Sequence, residues 1–280
     1  MVKTTTTING RLVPKREAII SVFDNSLQYA EGLFEMLLAV DDRPIFPRDH
    51  LRRLQRGSRV IGLELPVTPA QLERWMVKTL RAHPARIKKL RLTITAGESA
   101  RWFGRPGRPQ VILSAGPHRM PTVPFRLWVS DFRVDQNSIL HRIKTLSYAL
   151  HAAAFRQAHR RRCDDALLLN ERDEVAEVTS ANIFWVDRGT IYTPPLSSGC
   201  LDGVTRRIVL RECRRLKLPV AERPAFLRDL CAADEVFISS STKLVIGVGG
   251  ISGPGGGCTI PQGPVTGQLF RHFRKLVGLD

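Results

Sequence analysis

EVAEVTSANIFWV, residues 174–186, reads as two short strands, EVAEV and NIFWV, joined by a TSA turn. β-Branched and aromatic side chains fill both runs, and small polar residues separate them, which is the composition of a pleated, buried sheet. The pattern extends in both directions. FRLWVSDF (125–132) and DALLLN (165–170) precede it, and TIYTPP (190–195) and EVFISSS (235–241) follow as further strands. A helix follows Lys144, and another covers 204–216, where Ile208, Val209, Cys213 and Leu216 recur at helical spacing. The second half of the chain is therefore rich in sheet, with helices laid between the strands.

The first half is built differently. EAIISVF (17–23), LFEMLLAV (33–40), LRLTITAG (90–97) and QVILSAG (110–116) read as strands. Between them lies a helix over about 49–61 that stops at Gly62. A second begins at Thr68-Pro69, an N-cap followed by proline, and carries Leu72, Trp75, Met76 and Leu80 on one face. The segment GPHRMPTVP, 116–124, holds three prolines and one glycine and is the best linker in the chain. The expected organisation is an α+β domain over 1–115, a linker over 116–124 and a larger domain over 125–280.

The composition excludes several classes. With 280 residues, 43% hydrophobic and 25% charged, the chain has the make-up of a globular protein. No run approaches the ~20 apolar residues of a membrane span. MVKTTTTINGRLV lacks the apolar core of a signal peptide, which points to the cytoplasm. The net charge of +17 raises nucleic-acid binding as a question. The cations are scattered, however, in RRLQRGSR (52–59), RIKK (86–89), RQAHRRR (156–162), RECRR (211–215) and RHFRK (271–275), without the interleaved aromatics that stack bases. Most of them read as solvated helix faces. Cys163, Cys200, Cys213, Cys231 and Cys258 form no CxxC or Cys/His metal pattern and read as reduced packing thiols. GVGGISGPGGG (247–257) lacks the GK[ST] ending of a phosphate loop and reads as a flexible surface loop.

IKTLSYAL, EVAEVTSANIFWV, TPPLSSGCLDGVTRR and ADEVFISSSTKLVIGV occur in that order, with YAEGLFEMLLAV and DHLRRL before them and GPVTGQLFRHF after. In these motifs, across nearly its whole length, the chain resembles the fold-type IV pyridoxal-phosphate enzymes: branched-chain aminotransferases, D-amino acid aminotransferases and aminodeoxychorismate lyase. The resemblance implies a two-domain α+β fold, with a smaller N-terminal α+β domain and a larger, β-barrel-like C-terminal domain with helices. It also implies pyridoxal 5'-phosphate as cofactor and at least a homodimer.

The same resemblance assigns roles to residues, and chemistry supports each. Lys144 matches the lysine that forms a Schiff base with the cofactor and then moves a proton, work that requires a deprotonated amine. Glu177 matches the carboxylate beside the pyridine nitrogen, where it keeps that nitrogen protonated. Val204 and Thr205 open a helix after Leu201-Asp202-Gly203, where N–H groups bind a phosphate dianion. Arg53, beside an exposed Arg52, matches the arginine on the phosphate. Ser240 and Ser241 complete the phosphate cup. Tyr148, four residues after Lys144 and thus on the same face of the expected helix, matches the hydroxyl on the cofactor's phenolic oxygen. Asn182 is a candidate at the pocket edge.

For the substrate, Tyr29 and Phe34 align with the aromatic wall of branched-chain enzymes, and Arg91 with a carboxylate-binding arginine. The TRG-like turn of the D-amino acid enzymes here reads TAG, with Ala96. Lys89 stands where well-known branched-chain enzymes carry tyrosine; it reads as a cationic surface residue, with the alternative that beside Arg91 it meets a second carboxylate. The expected activity is transfer of an amino group from a branched-chain L-amino acid to 2-oxoglutarate by a ping-pong mechanism. The alternatives are aminodeoxychorismate lyase, then D-amino acid aminotransferase.

Overall fold

A computed structural model describes residues 4–99 and 107–280. Met1–Lys3, the start of the N-terminal stretch read above, lie outside it. The chain packs as two compact units: residues 1–120 with Ile143–Ser147, and residues 121–142 with Tyr148–Asp280.

The first unit contains β1 (Thr5–Ile8), β2 (Arg11–Val13), α1 (Asn25–Tyr29), β3 (Gly32–Val40), β4 (Arg43–Pro44), α2 (Pro47–Val60), α3 (Pro69–Arg81), β5 (Ile87–Thr95) and β6 (Val111–Pro117). Its six strands run in the order β2-β1-β6-β5-β3-β4. β3 is apolar along nearly its whole length because both of its faces are covered. Leu33, Leu37, Leu90, Leu92 and Leu113 of the sheet pack against Leu51 and Leu54 of α2 and Leu72, Met76 and Leu80 of α3. Each such side chain contributes ~1.5–3 kcal/mol by leaving water. Thr68 Oγ1 accepts the Gln71 N–H at 3.2 Å and starts α3 where the sequence places it. EAIISVF is not a strand. Lys15–Glu17 is a 3-10 turn, and Ile19, Val22 and Phe23 are exposed. Alternation alone supplied no neighbouring strand to take up the backbone hydrogen bonds.

The second unit contains β7 (Phe125–Val134), α4 (Ala149–Arg160), β8 (Asp165–Asn170), β9 (Val175–Val178), β10 (Asn182–Asp187), β11 (Thr190–Thr193), α5 (Val204–Arg215), β12 (Val220–Glu222), α6 (Leu227–Cys231), β13 (Glu235–Ser240), β14 (Leu244–Gly253), β15 (Gly256–Thr259) and α7 (Pro264–Leu276). The main path of its sheet is β12-β11-β10-β13-β14-β7-β8-β9, with β15 paired to β14. A bridge between Val178 and Ala181 ties β9 to the start of β10, so the sheet curls back on itself in a barrel-like way. β8 explains its unbroken apolar run: Leu167 and Leu169 enter one core and Ala166 and Leu168 another, which α4 covers with Ala154 and Ala158. Buried Glu235 caps α7, accepting the N–H groups of Val265 at 3.0 Å and Thr266 at 2.7 Å.

Two sequence readings change here. The glycine-rich stretch 247–257 is largely sheet, not a flexible loop. Gly257 lies so close to β14 that a Cβ would stand 2.8 Å from the Ile251 carbonyl oxygen, so at this position glycine serves close packing. Nor are all five cysteines thiols. Cys231 at the end of α6 and Cys258 of β15 form a disulfide, with Cα atoms 5.7 Å apart. Cys163, Cys200 and Cys213 are free and buried, and burial pushes the Cys200 thiol up to about 12 and Cys213 to about 11.

Candidate active site

In the first unit, Lys144 does not lie on a helix. Its carbonyl accepts the Phe34 N–H at 2.9 Å, Leu146 N–H donates to the Gly32 carbonyl at 3.0 Å, and Thr145 bridges Leu33. The segment thus forms an extended pairing on the edge of β3. Lys144 Nζ stands 4.4 Å from the Phe34 ring centroid, and the Arg91 guanidinium 4.0 Å from the same centroid. Antiparallel register explains the meeting: Phe34 faces Thr93 and Met36 faces Arg91 across β3 and β5, and Arg91 Nε donates to Thr93 Oγ1 at 3.1 Å. Lys89, two residues earlier on the same strand, is exposed opposite Leu38. Tyr29 ends α1, 45% exposed.

Glu35 follows Phe34 and turns to the opposite face of the strand. It is 1% exposed and accepts from Arg53 Nε at 2.8 Å and Nη2 at 2.5 Å, and from His50 Nδ1 at 2.6 Å. Burial, the largest influence, works to raise the Glu35 pKa, but the charge and hydrogen bonds of Arg53 and His50 outweigh it and hold the group at about 2. His50 is lowered, by burial first, against the opposing pull of Glu35. One edge of the Arg53 fork is therefore engaged by Glu35. Neither Glu35 nor His50 was singled out in the sequence. The available signals were an acid inside LFEMLLAV and the helical spacing of His50 and Arg53.

In the second unit, Glu177 lies on β9, 4% exposed. Its Oε2 accepts the Leu201 N–H at 2.9 Å, and its Oε1 is 3.3 Å from His151 Nε2. Asn182 ties two segments together: its amide donates to the Leu201 carbonyl at 2.9 Å, and a Cβ on Gly203 would stand 1.9 Å from its Oδ1. This close packing sets the start of α5. Gly203 supplies no side-chain cap to the first turn, which begins with Val204 and Thr205. Thr205 Oγ1 lies 3.4 Å from Ser241 Oγ, which joins the helix start to the end of β13. Ser240 Oγ instead accepts the Lys243 N–H at 3.2 Å and closes the turn into β14.

Tyr148 is the N-cap of α4, at φ −112° and ψ 15°, so it and Lys144 share no helix and the same-face relation does not hold. The Tyr148 ring stacks on that of His151, with centroids 4.2 Å apart and planes 14° from parallel. Sequence reasoning missed His151; its signal was one imidazole in the first turn of an otherwise alanine-rich helix.

This donor set fits pyridoxal phosphate. A buried carboxylate suits a pyridinium, and an uncapped 12-residue helix with a threonine hydroxyl in its first turn suits a dianion. Fold and site together define the fold-type IV class of pyridoxal-phosphate enzymes. Residues 32–251 match the model of the amino-transferase class IV family, and the chain belongs to that family. It is 30% identical over 253 residues, 88% of this chain and 87% of the other, to a protein of Methanocaldococcus jannaschii described as a branched-chain-amino-acid aminotransferase. It is 29% identical to the D-alanine aminotransferase of Bacillus licheniformis, covering 92% of each chain. The branched-chain aminotransferase of the thermophilic archaeon Thermoproteus uzoniensis, solved with norvaline, superposes with a TM-score of 0.91 at 29% identity, covering 99% of this chain and 95% of that one.

Proposed function

We propose that this aminotransferase uses pyridoxal 5'-phosphate to move the amino group of a branched-chain L-amino acid to 2-oxoglutarate in a ping-pong cycle. The observation that carries the cofactor assignment is the loop 201–203. It hands the Leu201 N–H to the Glu177 carboxylate and, at Gly203, opens the N-terminus of α5. An anchor for a protonated ring nitrogen and an anchor for a phosphate thus lie on one short piece of backbone.

Pyridoxal phosphate, when bound, supplies an electron sink for the α-carbon of the amino acid. The remaining work falls to the chain. Lys144 Nζ would hold the cofactor and would move a proton at the substrate α-carbon as base and then acid. Glu177 keeps the ring nitrogen protonated. Val204, Thr205 and Ser241 donate to the phosphate, Ser240 shapes the turn that carries Ser241, and Arg53 supplies positive charge to it. The Tyr148 hydroxyl orients the phenolic oxygen. Tyr29 and Phe34 provide apolar surface for an aliphatic side chain, and Arg91, poised over the Phe34 ring, binds a substrate carboxylate. The protein acts as at least a homodimer.

Incubation of the purified protein with leucine and 2-oxoglutarate tests the reading, with glutamate as the expected product. A panel of L- and D-amino acids that yields no glutamate, together with pyruvate released from aminodeoxychorismate, would establish the lyase instead. Glutamate formed from D-amino acids alone would establish the D-specific enzyme.

A further inference from the structure

The geometry points to His151 as the positioning residue for Glu177, holding its carboxylate through an Nε2–H donor so that it meets the cofactor's ring nitrogen in one orientation. The inference rests on the assignment of Glu177 to that nitrogen.

His151 is 8% exposed. Its Nε2 lies 3.3 Å from Glu177 Oε1, while its Nδ1 is buried without a hydrogen-bond partner among the described residues. A neutral imidazole carries one N–H, and a buried donor without an acceptor is costly, so the contacts assign the proton to Nε2 and the donation to Glu177. With Leu201 N–H on Oε2, the carboxylate then has a donor on each oxygen, one from α4 and one from the loop ahead of α5. Two donors from separate elements fix the carboxylate plane, which neither does alone.

The imidazole is itself held. Its face stacks on Tyr148, and the His141 ring stands 6.4 Å away, tilted by 41°. His141 is lowered in pKa, first by burial and then by the charge of His151, against the opposing pull of Glu177. One side chain therefore touches both Tyr148, assigned to the phenolic oxygen, and Glu177, assigned to the ring nitrogen. It connects residues assigned to two separate positions on the cofactor.

The test compares holoprotein of wild type, H151L, H151N and H151Q, alone and in an E177Q background. The readouts are the dissociation constant for pyridoxal phosphate and the pH at which the visible band of the bound cofactor changes, with the thermal midpoint of each apoprotein as a control for folding. A glutamine amide nitrogen reaches the position of Nε2; an asparagine amide reaches only that of Nδ1. H151L and H151N are expected to weaken cofactor binding about tenfold and to move the spectral midpoint, while H151Q stays within about threefold of wild type. In E177Q, H151L is expected to add no further loss. Wild-type binding and spectrum in H151L, equal losses in H151L and H151Q, or the full H151L loss in the E177Q background would each overturn the role. A wild-type protein that takes up no pyridoxal phosphate would overturn the cofactor assignment itself, and this role with it.

Discussion

Arg53 meets Glu35 along a full guanidinium edge, Nε to Oε1 at 2.8 Å and Nη2 to Oε2 at 2.5 Å, with both side chains buried. Removing one partner of such a pair leaves an uncompensated charge in the core, which costs about 3–5 kcal/mol. Glu35→Gln is therefore expected to lower stability by that order, read as a reduced urea midpoint at an unchanged slope.

The same cluster sets an acid limit. The folded Glu35 pKa, about 2, is below its ordinary 4.5, so its stabilisation is complete above that ordinary value and is lost as pH falls from there towards 2. His50 is also lowered when folded and starts to favour the unfolded chain as pH drops below its ordinary 6.5. Stability measured by denaturant is expected to decline in two stages, gently below pH 6.5 and steeply below 4.5. In Glu35→Gln the steep stage should be reduced.

Lys144→Ala is expected to abolish the visible absorbance of bound cofactor at roughly 410–430 nm and to reduce transamination about 10²–10⁴-fold, since the proposed role assigns both to the same amine. An added small amine that restores part of the rate would identify the lost group as the proton carrier.

Gly203→Ala introduces a Cβ 1.9 Å from Asn182 Oδ1 at an ordinary φ of −66°, so the penalty is steric and not conformational. A loss of about 1–3 kcal/mol is expected. Because Asn182 also holds the Leu201 carbonyl, the double variant with Asn182→Ala should lose less than the sum of the two single losses in a thermal unfolding cycle.

The disulfide closes a loop between positions 27 residues apart, worth about 3.5 kcal/mol in the chain-entropy account. Reduction is expected to lower the thermal midpoint, and thiol titration of the unfolded, unreduced protein should find three groups, the free cysteines Cys163, Cys200 and Cys213. Five thiols before reduction would contradict the bridge.

What the sequence disclosed followed from how local each signal was. β3, β5, the Thr68 cap and the start of α5 could be read because their causes lie within a few residues: runs covered on both faces, a hydroxyl before proline, a glycine before a helix. EAIISVF failed because alternation cannot announce the absence of a pairing strand, and 247–257 failed because glycines packed against neighbours look like glycines in a loop. The placement of Lys144 on a helix failed in a third way. The helix signal was genuine, but it begins at Ala149, and the residues before it pair with a strand more than a hundred positions earlier. Glu35 and His151 were hidden for the same reason: a buried polar residue declares its importance only through partners that are distant in sequence.

The pairing of Lys144 with Phe34 has a mechanical meaning. A lysine on a helix or free loop could shift by backbone motion, but here the peptide of Lys144, the lysine proposed to react, is pinned to a sheet edge at its own carbonyl. The amine is a tethered arm on a fixed post. Its reach is set by side-chain rotation alone, so whatever reacts with it must be delivered within one radius. Selectivity then becomes a matter of how a substrate is presented to a stationary pivot.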